Sequence, residues 1–216
     1  LLAMAGMTPE EVRQRCTLIG IEDDADSFAV LAHRLSDLDR FPRADLMKGD
    51  FLDYVDDGSM FASPLSLEPV DVVIANPPYV RTQVLGAERA QQLAAKFGLE
   101  GRVDLYQAFL VAIAEILRPG GVLGVITSNR FLTTKAGMST RRFLRSQFDL
   151  LEIVDLGDTK LFSAAVLPAL IFGVRRRTPR ESTEPMHAAF IRVYSSTRQN
   201  ANATVAESIP GALVEP

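Results

Sequence analysis

DVVIANPPYV, residues 71–80, runs from an apolar segment straight into an asparagine, two prolines and a tyrosine. The apolar run begins at Val70 and predicts a buried β-strand, because strands covered on both faces read as near-continuous runs of aliphatic residues. Proline lacks a backbone N–H and holds the residue before it in extended conformations, so the strand is expected to end at Ala75. The loop that follows should be stiff and rich in hydrogen-bond acceptors.

The rest of the chain alternates short apolar runs with amphipathic helical patterns. The clearest helix pattern covers residues 104–117 and is followed by the Pro-Gly-Gly of residues 119–121. Strands that alternate with helices form parallel sheets, so we predict an α/β fold whose mostly parallel, twisted sheet has helices on both faces. Ligands of such sheets bind at the carboxyl ends of the strands. The predicted strands cover residues 16–21, 44–52, 70–75, 121–127, 150–156, 165–175 and 188–194.

Composition bounds the possible functions of the 216 residues. A hydrophobic content of 47% with 23% charged residues predicts one folded domain without a membrane-spanning segment. The formal charge of −4 provides no general attraction for nucleic acid, which would need local patches or a segment outside this chain. The single cysteine, Cys16, suits a reducing cytoplasm, and His33 and His187 are too isolated to predict a metal site.

Several arginines could contact phosphates, but scattered arginines are more typical of a solvated surface. They are Arg81, Arg130, Arg141, Arg142 and Arg145.

The Asn-Pro-Pro-Tyr sequence combines hydrogen-bond acceptors with an aromatic ring. Asn76 offers its side-chain oxygen, and residues such as Pro77 offer backbone carbonyls beside the flat face of Tyr79. Two acceptors next to an aromatic platform suit an exocyclic amino group on a planar ring. When both amino hydrogens are bound, the nitrogen lone pair is less delocalised and can attack an electrophilic methyl group. Asn-Pro-Pro alone would more often simply end a strand, but the acidic strand ends upstream favour the functional interpretation.

These motifs resemble the class I S-adenosylmethionine-dependent amino-methyltransferases, and within them the N6-adenine DNA methyltransferases of restriction-modification systems. The resemblance extends over residues 18–175. Residues 104–132 are similar to the segment that follows the catalytic loop in large adenine-specific methylases, and residues 151–176 resemble their late motif. The resemblance implies a Rossmann-like class I methyltransferase fold in which the last strand pair closes one edge of the sheet antiparallel.

The resemblance also implies a cofactor site for S-adenosylmethionine. It assigns Glu22, at the end of the first strand, to the ribose hydroxyls, Asp50 to the amino group of the cofactor's adenine, and Phe51 to the adenine ring. Glu22 could instead be a solvated strand-end carboxylate, and Asp50 could belong to an ordinary turn. The first motif of the family, a glycine-containing loop, is absent because no Gly-x-Gly occurs. We therefore expect an N-terminally truncated methyltransferase.

Catalytic roles follow from the same resemblance. Asn76, Pro77, Pro78 and Tyr79 match the catalytic loop, in which Asn76 and Pro77 hold the target amino group. Tyr79 and Phe162 are expected to stack on the two faces of an adenine that has been flipped out of double-stranded DNA. Base flipping is needed because a paired adenine cannot bring its amino group to a methyl donor buried in the protein. Phe162 taken alone would more often be a core residue.

The resemblance leaves the organisation of the whole protein open. We predict a catalytic domain over residues 1–178 and a linker, or the start of a further C-terminal segment, over residues 179–216. A restriction or specificity module would then lie outside this chain. Because protein-glutamine and some RNA methyltransferases share the catalytic loop, both are alternatives, as is a non-catalytic methylase-like module that binds DNA or a partner subunit.

Overall fold

The computed structural model describes residues 8–36, 43–55, 67–78, 86–99, 104–135, 137–157, 167–179 and 188–193. The chain divides into two compact units, Leu1–Leu67 and Glu68–Pro216. No helix within the described ranges is long and apolar enough to cross a membrane. The predicted boundary after residue 178 stays a prediction.

The first unit contains a parallel pair of strands joined through a helix. Strands β1 and β2 pair in register from Thr17 opposite Arg43 to Glu22 opposite Lys48. Helix α2 packs against both strands and is capped by Asp24, whose Oδ1 accepts the Ser27 N–H at 2.8 Å. The elements are α1 (Pro9–Arg15), β1 (Thr17–Glu22), α2 (Ala25–Ser36), β2 (Arg43–Lys48) and α3 (Phe51–Tyr54).

The second unit contains a five-stranded sheet, and its described helices lie between β3 and β4 and between β4 and β5 in the sequence. The elements are β3 (Val70–Ala75), α4 (Ala87–Lys96), α5 (Leu105–Ile116), β4 (Leu117–Ser128), α6 (Arg130–Thr133), α7 (Met138–Gln147), β5 (Phe148–Asp155), β6 (Pro168–Arg175) and β7 (Ala189–Arg192). The limits of β3 are those predicted from the sequence.

The order of the strands is β3-β4-β6-β5-β7. Strand β6 runs antiparallel to both of its neighbours, whereas β3 is parallel to β4 and β7 is parallel to β5. The carboxyl ends of β3, β4, β5 and β7 therefore lie at one edge of the sheet, which we call the carboxyl edge. The predicted antiparallel strand is present, but β5 and β7 lie beyond it, so it is an interior strand of this sheet.

The core of the second unit lies between the sheet and two helices. Helix α5 packs on β4, α7 packs on β5, and the two helices also contact each other. Nearly all side chains of α5 are buried, because its sequence LYQAFLVAIAEI is apolar on most sides. The sheet supplies side chains that share one face through the strand register, among them Leu123, Val125, Leu150 and Ile171, each at most 4% exposed.

Strand β4 begins earlier than the sequence predicts. Helix α5 ends at Ile116, one residue before the predicted end, and the Pro-Gly-Gly segment that follows does not interrupt the sheet. Leu117 pairs with Val70, and the register shifts between Val70 and Val72 to accommodate the extra residues. Gly120 supports this irregularity with a φ of 87°, a conformation that other residues rarely adopt.

Candidate functional site

Glu22 lies at the carboxyl end of β1, as predicted. Its Oε1 accepts the backbone N–H of Asp24 at 3.0 Å, and its own carbonyl accepts the N–H of Gly49 at 3.0 Å. The second bond ties the end of β1 to the turn after β2. Oε2 has no hydrogen-bond partner among the described residues, so half of a fixed, half-buried carboxylate can still accept a ligand hydroxyl.

Asp50 and Phe51 do not continue β2, which corrects the predicted strand over residues 44–52. The strand ends at Lys48, and Asp50 is the N-cap of helix α3, with Oδ1 accepting the Leu52 N–H at 3.0 Å. The helix buries Leu52 completely and leaves Phe51 half-buried at its first position. A capping aspartate fits this place better than a strand residue would, because the free N–H groups of a helix start need an acceptor.

The turn between β2 and α3 requires glycine. Gly49 has a φ of 152°, and a Cβ atom there would lie 2.9 Å from the hydroxyl oxygen of Tyr54. That hydroxyl donates to the carbonyl of Lys48 at 2.9 Å and so folds α3 back onto the strand end. Since Glu22 and Lys48 are paired residues of parallel strands, Glu22 and Asp50 lie at the same edge of the first unit.

The second unit carries the Asn-Pro-Pro segment at the carboxyl edge. Asn76 follows directly after β3 and is exposed, whereas Pro77 is buried and Pro78 is exposed. The Asn76 carboxamide makes no hydrogen bond with the described part of the chain. A buried proline therefore fixes the backbone next to an amide that is free to bind a ligand. Tyr79 and Phe162 lie outside the described residues.

A buried carboxylate at the same edge was missed by the sequence reasoning. Asp155, at the end of β5, is 6% exposed. Its Oδ1 accepts from Asn129 Nδ2 at 2.9 Å and from the Gly157 N–H at 3.1 Å, and its Oδ2 accepts from Arg192 Nε at 3.1 Å. We call these four residues the Asp155 cluster. The rule that polar residues at strand ends mark the ligand edge would have singled out Asn129 and Asp155.

The Asp155 cluster holds three strand ends together at the carboxyl edge. Asn129 follows β4, Asp155 ends β5 and Arg192 ends β7. The backbone N–H of Asn129 also donates to the carbonyl of Leu167, just before β6, at 2.7 Å. The cluster therefore fixes the ends of β4, β5 and β7 at the edge where Asn76 follows β3. Within the described ranges, no three His, Cys, Asp or Glu side chains are grouped so that they could hold a metal ion.

Comparison with known proteins identifies the family of the chain. The family model described as Eco57I restriction-modification methylase matches residues 49–162, which include Asp50, Phe51 and the Asn-Pro-Pro segment. The chain is 52% identical over 185 residues to the type II methyltransferase M.BanIII of Aneurinibacillus aneurinilyticus. That alignment covers 83% of this chain and 31% of M.BanIII, so the chain spans about a third of that relative's length.

Solved structures share the fold at low sequence identity. The M protein of the type I restriction enzyme EcoKI superposes with a TM-score of 0.62 and 15% identity, covering 99% of this chain and 45% of that one. A Listeria monocytogenes protein assigned to the class I S-adenosylmethionine-dependent methyltransferases gives a TM-score of 0.56 and 20% identity, covering 81% and 49% of the two chains. The predicted class I methyltransferase fold is thus confirmed, and since the family model covers more than half of the sequence, the chain belongs to the Eco57I restriction-modification methylases.

Proposed function

We propose that the protein is a DNA adenine-N6 methyltransferase of a restriction-modification system that uses S-adenosylmethionine. The observation that carries the proposal is the exposed Asn76 carboxamide, which has no hydrogen-bond partner in the described part of the chain and follows a strand in the region that matches the family. The exposed amide is accessible to a substrate, and no structural hydrogen bond within the described residues occupies it.

The proposed mechanism depends on positioning. The Asn76 side-chain oxygen and the Pro77 carbonyl accept the two N–H groups of the adenine amino group, which leaves its lone pair directed at the methyl donor. S-adenosylmethionine, when bound, supplies an electrophilic methyl group on a sulfonium. Transfer of that methyl group to the amino nitrogen would break its bond to sulfur, and the surplus amino proton would leave to water. No side chain with a shifted pKa is needed, because holding the reacting atoms in line supplies much of the rate.

The first unit fits the cofactor with residues at the ends of β1 and β2. Oε2 of Glu22 would accept a ribose hydroxyl while Oε1 stays bonded to Asp24. Asp50 would hold the amino group of the cofactor's adenine, and the half-buried ring of Phe51 would lie against the adenine plane. Asp50 already caps α3, so its carboxylate is held in place before the cofactor arrives.

The target adenine would be flipped out of double-stranded DNA and stacked between Tyr79 and Phe162. We further propose that residues 1–178 form the catalytic domain, and that recognition of the DNA sequence comes from a specificity or restriction module beyond these residues. The alignment with the type II methyltransferase M.BanIII covers 31% of that relative, so most of the relative's length could hold such a module.

The direct test is methyl transfer from radiolabelled S-adenosylmethionine by the full-length protein, with double-stranded DNA, RNA and protein offered separately. We expect the radiolabel in DNA. After digestion of that DNA to nucleosides, mass spectrometry should detect N6-methyldeoxyadenosine. If the label entered only RNA or only protein, that molecule and not DNA would be the substrate. Calorimetric binding of S-adenosylmethionine without transfer to any of the three would favour a non-catalytic module.

Glu22→Ala is expected to weaken S-adenosylmethionine binding by roughly 10- to 100-fold, the loss of one hydrogen bond to a charged group. Isothermal titration calorimetry of the full-length protein measures the change. Asp23→Ala is the matched control, because Asp23 is an exposed acid beside Glu22 that the cofactor assignment does not use. Equal effects of the two substitutions would mean that general negative charge, and not Glu22, matters for binding.

A further inference from the structure

The segment between β4 and α7 is a rigid loop at the carboxyl edge, and it carries exposed cations. It covers residues 129–137, of which 129–135 and 137 are among the described residues, and we call it the Asn129 loop. It follows the strand next to β3 in the sheet. Since β3 and β4 are parallel, the loop begins at the edge where Asn76 lies. Its sequence, NRFLTTKAG, contains two cations and no acid.

Inward-facing groups of the loop hold it in one conformation. Asn129 belongs to the Asp155 cluster, and the ring of Phe131 is 1% exposed. Gly137 packs so closely on the Phe131 backbone that a Cβ atom would overlap it. The Thr134 hydroxyl donates to the carbonyl of Arg130 at 2.8 Å and accepts the N–H of Gly137 at 3.1 Å.

An arginine of α7 also holds the loop in place through hydrogen bonds to its backbone. The guanidinium of Arg141 donates to the carbonyl of Phe131 and, at 3.1 Å, to the carbonyl of Thr134. These carbonyls lie at the end of the short helix α6, where backbone acceptors lack helical partners. Arg141, which the sequence left as a possible phosphate contact, is therefore a structural residue of the loop.

Arg130 and Lys135 are different, because they face outward. Both are exposed, and neither side chain has a hydrogen bond or ion pair within the described part of the chain. Elsewhere in the second unit, Arg118 pairs with Asp71 and Arg176 pairs with Asp149. The Asn129 loop thus presents two positive charges without a paired acid, together with the exposed Thr133, at the carboxyl edge.

We propose that the Asn129 loop binds the phosphate backbone of double-stranded DNA next to the target base, through Arg130 and Lys135. The inference rests on the proposed function, and it explains how a chain with a net charge of −4 can hold a polyanion against Asn76. Phosphate contacts position a protein on the duplex without reading its sequence, so the loop sets the register of the target adenine.

The proposal predicts a change in the salt dependence of DNA binding. Each phosphate contact contributes about 0.9 to the slope of log K against log salt, so Arg130→Gln/Lys135→Gln should lower the slope by about 1.8 and weaken binding at least about tenfold near 0.15 M salt. Fluorescence anisotropy of the full-length protein with a labelled DNA duplex, over a series of salt concentrations, measures both quantities. Binding of S-adenosylmethionine should not change.

A matched control variant removes two positive charges from the opposite edge of the sheet. Arg118 follows the start of β4, and Arg177 follows the end of the antiparallel strand β6, so both lie away from the carboxyl edge. Both are exposed, so Arg118→Gln/Arg177→Gln changes the net charge equally and should leave the slope near its wild-type value. The charge-conserving variant Arg130→Lys/Lys135→Arg should retain the wild-type slope.

Three outcomes would overturn the proposal. The first is an unchanged slope in the Arg130/Lys135 variant, and the second is an equal loss in the Arg118/Arg177 control. The third is a slope change that appears with an RNA duplex but not with DNA. The proposed function is tested separately, by methyl transfer to DNA. If the wild-type protein methylates DNA and the Arg130/Lys135 variant keeps the wild-type slope, the phosphate-binding role of the loop is refuted and the proposed function is not.

Discussion

Asn76→Ala is expected to lower the rate of methyl transfer to DNA by at least about 100-fold, because the amino group loses one of two acceptors that align it. Binding of S-adenosylmethionine should be unaffected, because the proposed cofactor residues lie at the end of β1 and at the start of α3. Folding should also be unaffected, since Asn76 is exposed and makes no hydrogen bond with the described residues. Single-turnover transfer of a radiolabelled methyl group, with the cofactor affinity measured in parallel, separates these quantities.

Asn76→Asp supplies the matched variant, because an aspartate keeps an acceptor oxygen at the same distance from the backbone. It should retain more activity than the alanine variant. Transfer by Asn76→Ala at the wild-type rate would refute the role assigned to this side chain. A loss of cofactor affinity equal to the loss of rate would show that the alanine acts by disturbing the fold.

Asp155→Ala should lower the free energy of unfolding by about 3 kcal/mol, because it leaves the Asn129 amide and the Gly157 N–H without an acceptor in a buried place. Asp155 is 6% exposed and accepts three hydrogen bonds, so water cannot easily replace it. Urea denaturation followed by circular dichroism measures the change. Asp155→Asn, which keeps an acceptor oxygen, should lose less.

Asp71→Ala is the control for the loss of an ion pair as such. Asp71 and Arg118 form a bridge at 3.0 Å, but their side chains are 77% and 54% exposed. Exposed pairs contribute roughly 0–1 kcal/mol, so this substitution should hardly change the unfolding free energy. If Asp71→Ala and Asp155→Ala lower the free energy of unfolding equally, then burial is not the reason that the Asp155 cluster stabilises the protein.

The elements that the sequence predicted best are those fixed by local rules. Strand β3 was predicted with its true limits, because the aliphatic run stops at a residue that precedes proline. Helix α5 was predicted within one residue at each end, since Asp104 precedes it and Pro119 follows it closely. Both predictions depend on the properties of neighbouring residues alone.

Errors arose where distant pairing decides the structure. Leu117 continues the sheet past a Pro-Gly-Gly segment because it pairs with Val70, a partner that no local pattern reveals. The interior position of β6 follows from the order of strands, which is also a non-local property. A further error was local: Phe51 was expected to extend a strand, but capping by Asp50 begins a helix there.

The positions of two candidate site residues could be predicted from local signals. Glu22 and Asn76 were singled out because each lies at the end of an apolar strand, and the structure places both there, while their roles stay predictions. The strand-end positions of Asn129 and Asp155 were a local signal that was overlooked, whereas the hydrogen bonds that join Asp155 to Asn129 and Arg192, 26 and 37 residues away, have no local signal. Conversely, Arg130 and Arg141 look alike in the sequence, and the distinction between an exposed cation and a structural one required the fold.

The interior position of β6 also fixes the order in which the sheet can assemble during synthesis. Strand β5 leaves the ribosome directly after α7, yet its neighbours in the sheet, β6 and β7, are both made later. A nascent chain that ends before Pro168 can already pair β3 with β4, but it leaves both edges of β5, which has one buried apolar face, open. Completion of the core therefore waits for residues 168–175, and a chain cut short there is prone to pair wrongly with other strands.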